Sequence, residues 1–479
     1  MEVESLQELE VIEGQYHGEE IYLKGRDAGS TLGYGRFTWK LGSVSTQIDG
    51  VIVGSFPTGR WWRVGADKSV EGEWFGVGNS GGDYTTALRN ALAYAGMAAH
   101  DAQGMRVYLM RGIVGISGVI TLPNRVALHG ANGRGTDVIA LDSFPDSANE
   151  MFCAVNGTSS MFGSRLVDLF IDMRGKGSSI GRCVWPRAWQ ETCGLERVGF
   201  KGYRKYAVDI SDGFGGAAYL PFKDIECFGG AYGIEPQGGV NVNQISSIGG
   251  FILSVDGFTL TGASGYQSPF GIRSMNDSLI LRGGHFEFVN DGVVAIGAGS
   301  VSVDTLSGSF NEVETLVTFG SGFTGSYNLC NLIPNGATNI VRHNGSGVII
   351  PAAGQGMQAQ ISGPDRAQSS PLGYVLFDAS TTTVGGQCAI ISKSSNISGV
   401  LKTAVGRFTP QWAYGQAAGK QRSVSGGITN LDNTDPIKIT HTGGTLMAEF
   451  IQVRRKLGGS TWVDYDPQRC SLQFFGDRL

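Results

Sequence analysis

The feature that most constrains this chain is a loose repeat between about 165 and 350. Six stretches share one texture: "LVDLFIDMRG" (166–175), "LERVGFKG" (195–202), "FKDIECFGG" (222–230), "VDGFTLTG" (255–262), "LRGGHFEF" (281–288) and "VDTLSGSF" (303–310). Each pairs a short run of alternating apolar residues with glycine. Matching inward positions fall at Leu169, Val198, Ile225, Phe258, Gly284 and Leu306, at intervals of 29, 27, 33, 26 and 22 residues. Irregular repeats of this length suit the stacked coils of a β-solenoid. One coil cannot bury its own inner face, whereas a stack makes a continuous core. Glycine is 75 of 479 residues, about twice ordinary usage, as many tight turns require. No G-x-y period points to collagen. The apolar fraction of 41% is too high for a disordered chain.

One segment stands apart. "GEWFGVGNSGGDYTTALRNALAYA" (72–95) holds an amphipathic helix, with Asp83 placed to cap it and Ala87, Leu88, Ala91, Leu92 and Ala95 on one face. A solenoid has an open end with unpaired edges and an exposed core. A helix laid over the first coil covers both. Before it, residues 1–70 form one block of hairpin-like units, "EIYLKGRDAGSTLGYGRFTWK" and "DGVIVGSFPTGRWWRV". Capping helix and coils occupy 71–350. After "HNGSGVIIPAAGQG" (343–356) the texture changes, and "GPDRAQSSP" reads as a linker. Residues 351–479 are expected to form a C-terminal β domain.

The net charge of −5 gives no reason to expect nucleic acid or an anionic membrane surface as a partner. The seven cysteines form no CxxC and no zinc spacing with histidine, and they read as reduced, mostly buried thiols made in a cytoplasm. No motif calls for a metal or another cofactor. "MEVESLQELEVIEG" lacks the apolar core of a signal peptide. No run reaches the 18 apolar residues that membrane insertion needs.

"EWFGVGNSGGDYTTALRNALAYA", followed by "RVYLMRGIVGISGVITLPNRVALHGANGRGTDVIAL", resembles the entry of the pectate-lyase-like right-handed β-helix of bacteriophage tailspikes. There a strand and an Asp-containing turn lead into a capping helix, then strands of the "V-Y-L-P-x-G" and "I-x-L-P" kinds. Here Met110 and Arg111 replace the proline before Gly112. The resemblance covers roughly 20–350. It implies an all-β, single-stranded right-handed parallel β-helix with a small N-terminal β region. It also implies a homotrimer in the virion tail, attached to a tail or baseplate protein through residues 1–70. Such a spike binds a bacterial surface polysaccharide and usually cleaves it by hydrolysis or β-elimination. The C-terminal domain is then expected to serve trimerisation or glycan binding.

Aligned on the inward positions, one outward column reads Phe170, Gly199, Glu226, Thr259, His285 and Ser307. The next reads Asp172, Lys201, Phe228, Thr261, Glu287 and Ser309. Carboxylates, hydroxyls, an imidazole and an aromatic ring suit a sugar chain. A third column, Glu196, Lys223, Asp256, Arg282 and Asp304, alternates in sign and reads as a charge ladder on a solvated face. Glycoside hydrolysis needs two carboxyl groups, about 5–5.5 Å apart for retention and about 6.5–9.5 Å for inversion. Glu226, with Asp224 or Glu287 as its partner, is expected to carry it. Asp224 and Glu226 sit two apart on one strand, about 6.6 Å between Cα atoms. Glu312 and Glu314 have the same spacing, and carboxylates of neighbouring subunits are a further option. Substrate contacts are expected from His285, Thr259, Phe228, Arg282, Trp189 and Tyr203. Alternatively, His285 is the base of a lyase, with Arg282 neutralising a uronate carboxylate. A spike that binds receptor without cleaving it remains the third reading. "GANGRG" (130–135) reads as a turn between strands.

Overall fold

The computed structural model describes residues 1–98, 104–154, 161–186, 189–190, 192–211, 219–243, 252–308, 312–333, 335 and 337–344, and beyond these eleven strands and two isolated positions. The chain divides into two compact units. One comprises Met1–Val294 with Glu312–Glu314, the other Ala295–Asn311 with Thr315–Leu479.

The first unit begins with a five-stranded sheet in the order Glu2–Val3, Glu20–Leu23, Gly35–Leu41, Gly59–Arg63, Ile52–Val53. Alternation in "EIYL" and "RFTW" turns Ile21, Leu23, Phe37 and Trp39 to one side, where they meet Trp61, Leu6 and Leu9. Arg63 is buried, yet its guanidinium donates to the carbonyls of Gly50, Tyr34 and Gly33 at 2.6–2.9 Å. Burial lowers its pKa to about 9. Three carbonyl partners make that buried cation tolerable.

The helix Thr85–Ala98 buries Leu88, Ala91, Leu92 and Ala95. This face meets the strands Met105–Tyr108, Ile120–Leu122 and Val126–His129 of the first coils. Asp83 accepts hydrogen bonds from the Thr85 N–H (3.0 Å) and the Ser117 hydroxyl (2.6 Å). Those bonds, Ser117's first, hold its carboxyl below the usual range. The helix thus does what its pattern predicts: it is tied down at its start and covers the open end of the stack.

Parallel ladders climb from there. One runs through Val70–Glu71, Met105–Tyr108, Val126–His129, Arg165–Val167, Gly194–Glu196, Tyr219–Phe228, Ile252–Thr261 and Ser278–Glu287. A second runs through Ile120–Leu122, Glu150–Ala154, Arg182–Trp185, Tyr206–Ser211, Gly238–Asn243 and Ser268–Met275. A third, shorter ladder joins Gly112–Ile116, Thr136–Ala140, Leu169–Asp172 and Gly199–Lys201, and merges into the second half of Tyr219–Phe228. This is a parallel β-helix. Its inner stack, Val107, Leu128, Leu166, Leu195, Phe222, Val255 and Leu281, is paired in register and shielded from water. Each such side chain contributes about 1.5–3 kcal/mol by burial, and a one-residue slip would expose the whole row.

The first and third ladders meet at a bend whose length changes along the stack. Residues 109–111 and 130–135 make it in the first coils. Further on it is one left-handed residue: Asp168 (φ 56), Asp224 (φ 52), Gly257 (φ 78), Gly283 (φ 76), with Arg197 (φ 52) and Val198 in the coil between. A left-handed residue turns the chain without a loop. Asp168 and Arg197, stacked at this bend, form a bidentate ion pair at 2.7 and 2.8 Å.

In the second unit the pairing changes sense. Val301–Gly308 pairs in parallel with Tyr327–Ile333, which then takes Ala359–Ser362 antiparallel. Val313–Phe319 and Asn339–His343 pair in parallel, and Val348–Pro351 adds antiparallel. Two antiparallel sheets follow, in the orders Ala389–Lys393, Gly373–Asp378, Cys470–Phe475, Ser423–Ile428 and Ile397–Ala404, Arg407–Trp412, Phe450–Leu457, Ile437–Thr442, with Thr461–Asp464 beside Phe450–Leu457.

Candidate functional site

Strand pairing sets the outward columns on the far side of the bend. One reads Asp137, Phe170, Gly199, Glu226, Thr259, His285. The next reads Ile139, Asp172, Lys201, Phe228, Thr261, Glu287. From Phe170 and Asp172 to His285 and Glu287 these are the columns expected from the repeat; Ser309 lies outside the described residues. Successive rungs stand about 4.8 Å apart.

Glu226 lies half-buried at the middle of this face. Its carboxylate is ion-paired with Arg134, whose other nitrogen donates to the Asp224 carbonyl at 2.9 Å. Arg134 comes from the "GANGRG" bend, itself at φ 60, three rungs before Glu226. The glycines there read as a turn, and they are one, but the turn also delivers a cation across the bend column. Nothing in its spacing signals that reach. A guanidinium beside a carboxylate favours the ionised form.

Asp224 does not sit as expected. It is the left-handed bend residue, so strand alternation breaks there. Phe222 points in, Lys223 and Asp224 are exposed, and Ile225 points in again. Asp224 and Glu226 therefore do not share one continuous strand face, although the charge of Asp224 also acts on the Arg134 that pairs with Glu226. Glu287 stands two rungs and two residues from Glu226, roughly 12 Å between Cα atoms. Its Oε1 lies 3.1 Å from His285 Nε2, and both side chains are about a third exposed, at 31% and 39%.

Phe228 presents a half-buried ring. Phe170 meets it with ring centroids 5.7 Å apart. Gly199 makes this contact: a Cβ there would come within 2.5 Å of the Phe170 ring. Thr259 and Thr261 are half-buried beside it. Arg282 lies across the bend, exposed, in the ladder Glu196, Lys223, Asp256, Arg282. Trp189 and Tyr203 are each only 2% exposed. That corrects the expectation that they line a sugar site. Trp189 is held in a bridge with Met161, and Tyr203 is turned inward after the left-handed Gly202 (φ 68). Burial pushes the Tyr203 phenol up.

Two acids upstream share one neighbourhood. Asp172 is buried at 7% exposure; its Oδ2 accepts from the Tyr232 hydroxyl at 2.5 Å and its Oδ1 from the Arg174 N–H at 2.8 Å. Tyr232 belongs to the excursion after Phe228, and its ring carries Lys201 Nζ at 5.0 Å. Burial and the bond to Asp172 push its phenol to about 12. Asp137 is half-buried, and burial first, then the charge of Asp172, push its carboxyl above the usual range, against a smaller pull from Lys201. Sequence reading began the repeat at 166 and missed Asp137, although "TDVIAL" alternates in the same way. Among the described residues, no three His, Cys, Asp or Glu side chains converge as metal ligands.

Residues 2–66 match the family described as phage tail protein small four-stranded beta-sheet domain. Among solved structures the chain is similar to the enzymatically active domain of tailspike protein 2 of bacteriophage CBA120, with 15% identity over 99% of this chain and 80% of that one, TM-score 0.49. It is also similar to full-length tailspike protein 2 from the Escherichia coli O157:H7 phage, with 16% identity, TM-score 0.45 and 72% of this chain covered, and it spans half of that protein's length. A third is a tailspike of Acinetobacter baumannii bacteriophage Fri1, a capsular polysaccharide depolymerase, with 11% identity over 99% of this chain and 97% of that one, TM-score 0.34. No curated protein matches by sequence.

Proposed function

We propose that this chain is a phage tailspike that binds a bacterial surface polysaccharide (capsule, exopolysaccharide or O-antigen) and depolymerises it as a glycoside hydrolase. It acts as a homotrimer joined to the tail through its N-terminal domain. The observation that carries this reading is the outward face of the β-helix, where carboxylates, hydroxyls, an imidazole and two touching phenyl rings stand in register. A glycan needs such alternating polar partners and ring platforms. The match of residues 2–66 to a phage tail domain supports the attachment. Of the carboxylates on the face, the set read from the sequence is Glu226 with Asp224 or Glu287. Purified protein spotted on lawns of many bacterial strains tests the function: haloes are expected, with reducing ends released from the polysaccharide of a responding strain. Haloes on no strain would leave only a receptor-binding spike.

A second reading is a polysaccharide lyase. The contact of His285 with Glu287 favours it, because a carboxylate orients an imidazole base. Products absorbing in the ultraviolet as unsaturated uronates would establish elimination.

A further inference from the structure

We infer that Arg26 and Arg63 lock the N-terminal sheet onto the capped end of the β-helix, so that residues 1–70 and the first coils move as one body. The consequence for the spike, projection from the tail at a fixed angle, rests on attachment through residues 1–70. The lock itself does not. Domains of one chain move relative to one another unless a large apolar interface holds them. The stretch "VGADKS" (64–69) has the look of such a joint, a turn with Val64, Asp67 and Lys68 exposed. The side chains around it close the joint.

Directly after Val70–Glu71, the first rung of the first ladder, the short helical turn Gly72–Phe75 buries Trp74 and Phe75. One nitrogen of Arg26 donates to the Trp74 carbonyl at 2.8 Å, and another to the Asp49 carboxylate at 2.6 Å. Arg26 follows the strand Glu20–Leu23 and Asp49 precedes Ile52–Val53, so one side chain ties two loops of the sheet to the start of the β-helix. A planar fork makes both bonds at once; an ammonium cannot hold that geometry. Arg63 ends the strand Gly59–Arg63. Its edge donates to the carbonyls of Gly33, Tyr34 and Gly50. Its face lies 4.8 Å from the centre of the Trp74 ring and 4.5 Å from that of Phe37. The guanidinium therefore bonds within the sheet domain and stacks on the turn beyond it.

Two glycines permit the approach. Gly33 (φ 71) and Gly50 (φ 73) are left-handed, where a side chain would be strained. A Cβ at Gly50 would lie 1.8 Å from the Trp74 carbonyl oxygen, and one at Gly33 would lie 2.8 Å from that of Glu73. On the helix side, Phe75 meets Tyr94 with ring centroids 6.0 Å apart. The Tyr94 hydroxyl donates to the Ala66 carbonyl, inside the connecting turn, at 3.2 Å. The connecting stretch is thus fastened to the capping helix at Ala66, and the residues after it to the sheet at Trp74. Bending at 64–69 would break the Tyr94–Ala66 and Arg26–Trp74 bonds together and draw the Trp74 ring off Arg63.

Hydrogen exchange of the full chain, read by mass spectrometry on peptides spanning 70–77, tests the lock. In the wild type the Gly76 and Val77 amides, each bonded at 3.1 Å to the carbonyls of Glu73 and Gly72, should be protected. Arg26→Met should speed exchange there about tenfold to a hundredfold, as loss of one charge-assisted hydrogen bond implies. Arg26→Lys should do nearly the same, because the charge stays and the fork goes. Asp49→Asn keeps the Trp74 bond and should change exchange only a few-fold. Trp74→Leu removes the ring that Arg63 stacks on while leaving that buried arginine its carbonyl partners, and it should also speed exchange. Peptides within 20–63 should exchange as in the wild type in every variant, which separates the lock from the fold of the sheet. Free exchange over 70–77 in the wild type, unchanged exchange in Arg26→Met or Trp74→Leu, or wild-type exchange in Arg26→Lys overturns the lock. Protection lost over 20–63 in Arg26→Met also overturns it, by making Arg26 a prop of the sheet alone. Protein that fails to bind phage tails while 70–77 stays protected removes the attachment reading and leaves the lock standing.

Discussion

The two ends of the outward face both carry acidic side chains, in opposite electrostatic settings. Downstream, Glu226 is ion-paired with Arg134 and Glu287 lies against His285. Upstream, Asp137 is half-buried and feels the charge of Asp172, with Lys201 as a weaker counterweight, and is pushed toward its neutral form. A carboxylate paired with a guanidinium, as Glu226 is, is favoured as an anion. A half-buried carboxyl beside another acid keeps its proton to higher pH. The difference lies in which side chains the bend and its loops bring alongside, because both ends share one strand geometry.

The largest expected effect follows from that contrast. Asp137→Asn should melt no lower than wild type and, at neutral pH, higher. The sign is set by the raised carboxyl: its cost is absent where it is protonated in both states, grows as pH rises from the unfolded aspartate value to the higher folded-state value, and is full above that, so neutralising it removes a cost at neutral pH. Thermal melts would show it, and a lowered melt would break the comparison. Next, Glu226→Gln should weaken binding, with KM rising about tenfold, in line with loss of about one charge-assisted hydrogen bond, and kcat changing less. An equal fall in kcat and kcat/KM would place chemistry at Glu226 itself. Smaller again is Gly199→Ala, which displaces the Phe170 ring and should raise KM a few-fold, on the order of 1 kcal/mol of ring contact. Lys201→Met should raise the Asp137 carboxyl further, because the lysine's charge lowers it; a fall of that carboxyl in a carbon-13 NMR titration would show that Lys201 does not act on it.

The smallest predicted change concerns the frame. Arg197 beside Asp168 holds that carboxyl below the usual range. Its contribution is therefore full above the unfolded aspartate value and lost as pH falls through the lower folded one. Arg197→Ala should cost about 1 kcal/mol at neutral pH, given that the arginine is partly exposed. The difference should vanish in strong acid, as melting curves across pH would record.

The periodicity of the chain determined the coils by itself. Apolar residues at every second position in stretches of 22–33 residues can be buried only by stacking, so Leu169, Ile225 and Phe258 had to point inward and Phe170, Glu226 and His285 outward. The helix at 85–98 was legible for the same reason, from spacing and from Asp83. Only tertiary structure decided what each outward side chain meets. Asp224 falls on a left-handed bend, which period-two alternation cannot signal. Arg134 reaches Glu226 from a turn 92 residues earlier in sequence, and Tyr232 closes over Asp172 from 60 residues later. Trp189 and Tyr203, polar enough at one edge to suit a surface, are folded inside. Inward or outward is a local property of strand sterics. Charge state and partner depend on groups that are neighbours in space alone, and a stack of coils brings those together from segments that share no local pattern.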